Sequence, residues 1–97
     1  MELKFEWDEN KNLKNIKKHD IAFQDVLKVF YDPKRQEVYD IKHSFFEDRW
    51  EVIGLSDSII YKVNYTERDE FIRIISARNA TKKEEKRYFY GNGKKNN

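Results

Sequence analysis

Between Arg49 and Arg78 the apolar side chains alternate with polar ones in three successive runs, Trp50/Val52, Ile59/Tyr61/Val63/Tyr65 and Ile72/Ile74. A period of two is the signature of a strand with one buried face. The breaks between the runs, Gly54 to Ser58 and Glu67 to Glu70, are short and polar, as hairpin loops are. The pattern therefore predicts an antiparallel meander of strands over Arg49–Leu55, Ile59–Thr66 and Phe71–Arg78, with a further strand over Glu37–Lys42 ahead of it. A meander has two faces, so the rest of the chain must cover at least one of them.

The segments before it supply the cover. Leu3, Phe5 and Trp7 alternate with Glu2, Lys4 and Glu6 and predict an N-terminal strand ended by Asp8. Asp8 is placed to cap a helix running to about His19, with Glu9 favourable against the positive end of its dipole. Leu13 and Ile16 form the narrow apolar stripe of that helix, and Lys11, Lys14 and Lys18 gather on the opposite side. His19 falls on the seam between them. Ala22, Phe23, Val26, Leu27 and Phe30 recur with helical spacing and predict a second, well-buried helix stopped by Asp32-Pro33. At the other end, Thr81 and Glu84 make a capping box for a short helix from Lys82 to about Tyr90, ended by Gly91. Residues 92–97, with Lys94 and Lys95, read as a frayed tail. The expectation is an α+β chain with one domain over residues 1–91: an N-terminal strand and two helices, a meander and a C-terminal helix.

Composition narrows the chemistry. The 97 residues are 39% charged and 38% hydrophobic, with 15% aromatics to fill a thin core. With no cysteine there is no disulfide, thiolate metal site or thiol nucleophile. The two histidines, His19 and His43, lack metal-ligand spacing, and three glycines form no phosphate-binding loop. Ser44, Ser56, Ser58 and Ser76 have no G-x-S-x-G setting. Neither metal nor cofactor is expected. No apolar run approaches the ~18 residues of a membrane span and the opening segment has no signal-like apolar stretch, so the expected location is the cytoplasm. A net charge of +2 does not by itself demand a nucleic-acid partner.

What accumulates instead is a set of cations and phenols: Lys11, Lys14, Lys18 and His19, Arg73 and Arg78, Tyr65 and Tyr88. RNA cleaves itself when a 2′-OH attacks the adjacent phosphate, which needs a base, cations for the phosphorane and an acid for the leaving 5′-oxygen. These side chains supply all three. Each also has a plainer role: surface lysines are solvated, His19 can complement a helix C-terminus, and Tyr65 can pack beside Val63. Arg73 and Arg78 stand an odd number of positions apart and face opposite sides of a straight strand unless a bulge intervenes. A non-catalytic RNA-binding module and an inert partner-binding domain remain alternatives.

Several segments are more specific: Phe5-Glu6-Trp7-Asp8, Lys18-His19 followed by Phe23, Val29-Phe30-Tyr31-Asp32, Val63-Asn64-Tyr65-Thr66, and Arg73-Ile74-Ile75-Ser76-Ala77-Arg78-Asn79-Ala80 before Glu85 and Tyr88. In order and spacing, across residues 2–90, they resemble the BrnT family of ribonuclease toxins from type II toxin–antitoxin modules. The resemblance implies a RelE-like fold related to microbial ribonucleases and metal-independent RNA cleavage that blocks translation. It also implies neutralisation by a BrnA-type antitoxin, with DNA reached only through that partner. Carried over by position, the family's Lys-His pair falls on Lys18-His19, its Tyr-Thr on Tyr65-Thr66 and its R-I-I-S-A-R segment on Arg73 to Arg78. Taken with the cation and phenol set, the expected catalytic residues are His19, Tyr65, Arg73 and Arg78, and the expected RNA contacts are Lys11, Lys14, Lys18, Arg49 and Tyr88. Arg49 stands ahead of the glycine-bearing strand turn, where the family usually has an arginine. Where the family usually reads Lys-His-Gly-Val-Ser-Phe, this chain has Lys18-His19-Asp20-Ile21-Ala22-Phe23. Asp20 tolerates a left-handed backbone, whereas Ala22 cannot cap a helix as serine does, a loss of about 1 kcal/mol unless Asp20 takes over. Phe45, Phe46 and Trp50, with the basic helix, are the expected donors of an antitoxin surface, unless Phe45 and Phe46 fold back into the core. Free of antitoxin, the chain is expected to be a monomer.

Overall fold

The computed structural model describes residues 2–91, so the expected tail over residues 92–97 lies outside the described residues. The strands are β1 (Lys4–Trp7), β2 (Gln36–Tyr39), β3 (Arg49–Ser56), β4 (Ile59–Arg68) and β5 (Phe71–Asn79). They form one mixed sheet in the order β1-β5-β4-β3-β2. The meander is antiparallel as its spacing predicts, and β2 extends it antiparallel beyond β3. β1 closes the other edge parallel to β5, with Lys4 opposite Phe71 and Trp7 opposite Ile74. With helices α1 (Glu9–His19) and α2 (Lys82–Tyr90) and a 3-10 helix over Phe23–Tyr31, the chain is α+β.

Local chemistry explains where the strands turn. Asp57 and Ser58 both take positive φ, 48° and 75°, as a two-residue hairpin loop requires. Gly54, expected in that loop, lies inside β3 instead. A Cβ there would come within 3.0 Å of both the Cβ and the carbonyl oxygen of Val29, so glycine is what lets the 3-10 helix press against the sheet. β2 stops at Tyr39 rather than running to Lys42. There the Asp40 carboxylate accepts from the His43 N–H and starts a single helical turn over Ile41–His43.

The second expected helix is present but wound as 3-10. With three residues per turn, Phe23, Val26 and Val29 stack on one line, and all three are fully buried against Val52, Val63, Ile74 and Ala77. Ala22 gives this helix no side-chain cap and Asp20 does not replace it. Asp20 instead ends α1 in the left-handed region at φ 61°. The missing cap comes from α1, where the Asn12 Oδ1 accepts from the Phe23 N–H at 2.8 Å.

α1 departs most from expectation. Leu13 and Ile16, its predicted buried stripe, are 54% and 36% exposed, and the buried residues are Asn12 and Asn15. The reason is what α1 covers. Beyond Ile74, β5 no longer pairs with β1 and its backbone edge needs hydrogen-bond partners more than apolar contact. Asn15 Oδ1 accepts from the Ala77 N–H at 3.0 Å and its Nδ2 donates to the Ile21 carbonyl at 2.9 Å, fixing the position and rotation of the helix.

α2 lies on the opposite sheet face and covers only one end of it, packing Tyr88 on Ile53 and Ile60. Its capping box from Thr81 and Glu84 forms as the sequence predicts. The rest of that face is left open beside α1.

Candidate functional site

The open face and α1 enclose a groove of about 370 Å³. From α1 come Lys11, Lys14, Lys18 and His19, with Asn15 at the base; from β4 come Lys62 and Asn64; from β5 come Ile75, Ser76, Ala77 and Arg78. The spacing of three, four and seven along α1 brings the lysines to one flank, and the Asn15 hydrogen bonds turn that flank toward the sheet.

A bulge in β5 completes the strand wall. Asn64 pairs with Ser76 but Tyr65 pairs with Ile74, leaving Ile75 as the extra residue. The alternation changes phase there. Ile72, Ile74 and Ala77 all reach the core, and Arg73, Ser76 and Arg78 share the open face. The odd separation of the two arginines is thereby reconciled.

Five cations and a histidine line the groove, and no carboxylate does. Lys11, Lys14 and Lys18 are exposed and enter no ion pair among the described residues. The other two cations are braced from outside it. Lys62 Nζ lies 3.3 Å from Glu51 Oε2. Arg78 donates from Nη1 and Nη2 to the two oxygens of Glu84 at 2.8 and 3.0 Å. Those bonds hold the Glu84 carboxyl down at about 2 and raise Arg78 above its ordinary value. They occupy the end-on fork of the guanidinium, and a further Nη1 bond reaches the Asn79 carbonyl at 3.0 Å. Of five N–H donors, the Nε edge stays available for a phosphate. The Asn64 Oδ1 is buried at the groove with no hydrogen-bond partner among the described residues.

Of the expected site residues, the groove unites Lys11, Lys14, Lys18, His19 and Arg78. It does not unite the others. Arg73 shares the open face but pairs with Glu6 at 3.3 Å and does not line the groove. Tyr65 points into the core on the opposite face, its ring edge-on to Phe30 at 5.0 Å and its hydroxyl donating to Glu37 at 3.0 Å. Burial, then the Glu37 carboxylate, push its phenol upward. Tyr88 is buried on the inner side of α2 and donates to Asp32 Oδ2 at 2.6 Å; burial, then that bond, push it up to about 12. Arg49 lies 3.3 Å from Glu47 and outside the groove lining. Lys62, Asn64 and Ser76 were not singled out from sequence as substrate contacts. The polar positions of β4 alternate with Tyr61, Val63 and Tyr65, which signals their face, but the bulge decides which β5 residues meet them.

Phe45 and Phe46 do not fold back: both rings are exposed and stack edge-on to one another at 4.8 Å. Trp50 is half-buried against Tyr39 at 5.2 Å. Among the described residues no helix is long and apolar enough to cross a membrane.

A cationic groove with one imidazole can grip a phosphodiester and move a proton beside it. No curated protein matches the chain. The family model described as "Ribonuclease toxin, BrnT, of type II toxin-antitoxin system" matches residues 7–84, a span that contains every residue lining the groove, and the chain belongs to that family.

Proposed function

We propose that the groove is the active site of a metal-independent endoribonuclease. The observation that carries the reading is the lining itself: Lys11, Lys14, Lys18, Lys62, Arg78 and His19 converge with no carboxylate among them. The substrate phosphate binds between α1 and β5. Its 2′-oxygen attacks phosphorus as the 2′-proton leaves to a base. The P–O5′ bond then breaks and the 5′-oxygen takes up a proton, giving a 2′,3′-cyclic phosphate and a 5′-OH. Arg78 and Lys62 stabilise the doubly charged phosphorane, more strongly in that state than in the diester, which is what lowers the barrier. His19 is the proton donor or acceptor, the one side chain on the lining whose ring nitrogens can both give and take a proton. Arg73, Arg49, Tyr65 and Tyr88 support the scaffold through their partners rather than touching the scissile phosphate.

In this reading residues 1–91 act as one RelE-like domain in the cytoplasm, and cleavage blocks translation and growth. A BrnA-type antitoxin neutralises the toxin and supplies the DNA contact. The free toxin is a monomer.

Purified protein incubated with RNA in excess chelator tests the reading. Products ending in 2′,3′-cyclic phosphate are expected, with cleavage falling by orders of magnitude in Arg78→Ala and changing its pH profile in His19→Gln. Loss of activity with chelator would remove the metal-free mechanism. RNA binding without cleavage at any protein concentration would make the chain a binder.

A further inference from the structure

We propose that the outer face of α2 is a second RNA-contacting surface, a track for the nucleotides that flank those held in the groove. It rests on the reading of the groove as an RNA site and extends it to a helix that contributes nothing to the groove lining.

The inner side of α2 is committed. Tyr88 packs on Ile53 and Ile60, and Glu84 holds Arg78. Outward it presents Lys82, Lys83, Lys86 and Arg87, all exposed, and none enters an ion pair among the described residues. Beside them Phe89 and Tyr90 are 71% and 74% exposed, and a shallow hollow runs between Lys82, Lys86 and these rings, with the half-buried Glu85 the one carboxylate on its lining against two lysines. Cations that take phosphates, next to ring faces on which bases stack, are the elements that bind a single strand without sequence preference.

Position and charge select the route. The Arg78–Glu84 pair sets the first turn of α2 at the rim of the groove, so a strand leaving past Arg78 meets this helix. Toward the β4–β5 turn it would instead meet Glu2, Glu67, Asp69 and Glu70, which with Lys4 paired to Glu70 surround another hollow and, four carboxylates against one cation, repel phosphate. The nine residues of α2 span about 13 Å, room for roughly four stacked nucleotides at about 3.4 Å each.

The test uses 2′-O-methyl RNA, which lacks the attacking hydroxyl, as a trimer and as a dodecamer, with binding followed by fluorescence anisotropy. Phe89→Ala/Tyr90→Ala and Lys82→Gln/Lys86→Gln are expected to weaken dodecamer binding about tenfold and leave the trimer unchanged. The lysine pair should also reduce the slope of log K against log salt by about 1.4, the value for two single-strand phosphates. All four side chains are exposed, so the lysine pair should melt with the wild type, while the aromatic pair loses the edge-on contact of Phe89 with Tyr88 at 5.5 Å and should melt only slightly lower. Dodecamer affinity unchanged in both variants overturns the proposal, as it would if this face served an acidic protein segment instead. Equal loss for trimer and dodecamer overturns it too. Cleavage by the wild type together with unchanged dodecamer affinity in both variants defeats the track alone; length-dependent binding without cleavage defeats the nuclease reading alone. Absence of RNA binding defeats both.

Discussion

Replacing Asn15 with leucine keeps the branching at Cγ, puts two bulkier methyl groups where the amide oxygen and nitrogen stood, and removes both hydrogen bonds that dock α1. The Ala77 N–H and the Ile21 carbonyl, partners at 3.0 and 2.9 Å, are left in a buried site without acceptor or donor. Each orphaned group costs about 1 to 3 kcal/mol, so the pair costs about 2 to 6 kcal/mol. A domain of this size holds only about 5 to 15 kcal/mol in total. At about 4 to 8 °C per kcal/mol, the melting temperature should fall by at least about 8 °C. Urea unfolding followed by tryptophan fluorescence and calorimetry measures both quantities. Cleavage should fall further than the folded fraction does, because Lys18 and His19 lose their fixed approach to Arg78. An Asn15→Leu protein that melts within about 2 °C of wild type and cleaves RNA normally would refute the argument that amides, rather than Leu13 and Ile16, hold this helix.

Glu84 has a carboxyl held at about 2 against an ordinary 4.5, so its contribution to stability is complete above about pH 4.5 and is lost as pH falls toward 2. The urea midpoint should decline through that window, and Glu84→Gln should flatten the decline while weakening cleavage through Arg78. Gly54→Ala forces a methyl to within 3.0 Å of Val29 and should cost about 1 to 3 kcal/mol by chemical denaturation; an unchanged midpoint would show that the 3-10 helix can retreat from β3. Phe45→Ser/Phe46→Ser should leave melting and RNA cleavage unaltered because both rings are exposed, and should weaken calorimetrically measured binding to a BrnA-type antitoxin at least tenfold. Unchanged affinity would remove this pair from the antitoxin surface.

The N-terminal strand and the three meander strands were legible because each keeps a period of two, and α2 because its capping box and glycine stop lie at fixed offsets; β2, exposed along Glu37–Tyr39, has no such alternation and its end was misplaced. Two features were hidden for physical reasons. Phe23, Val26 and Val29 fit a three-residue turn, but Ala22, Leu27 and Phe30 fit a 3.6-residue turn equally well, and the close approach at Gly54 that accompanies the tighter winding is tertiary. Asn12 and Asn15 look like surface residues until the free edge of β5 gives their amides partners. The site divides along the same line. Its helical wall, Lys11 to His19, follows from spacing within one element. Its sheet wall depends on a one-residue bulge that the pattern around Ile75 does not announce, so Lys62, Asn64 and Ser76 were missed as groove lining. Tyr65, which the family resemblance placed in the site, lies on the other face.

The two walls of the groove are also distant in the chain, with Asn15 on one side of the docking bond and Ala77 on the other. A ribosome adds about 5 to 20 residues per second, so roughly 3 to 12 seconds separate the synthesis of His19 from that of Arg78. Throughout that delay the lysines of α1 have no β5 beside them and Asn15 has no edge to grip. β1 also waits unpaired, because the strand it joins, β5, is made after every other strand in the sheet. Partial translation products that stop before Phe71 therefore lack an assembled groove, and the walls of the site meet only once β5 has been made.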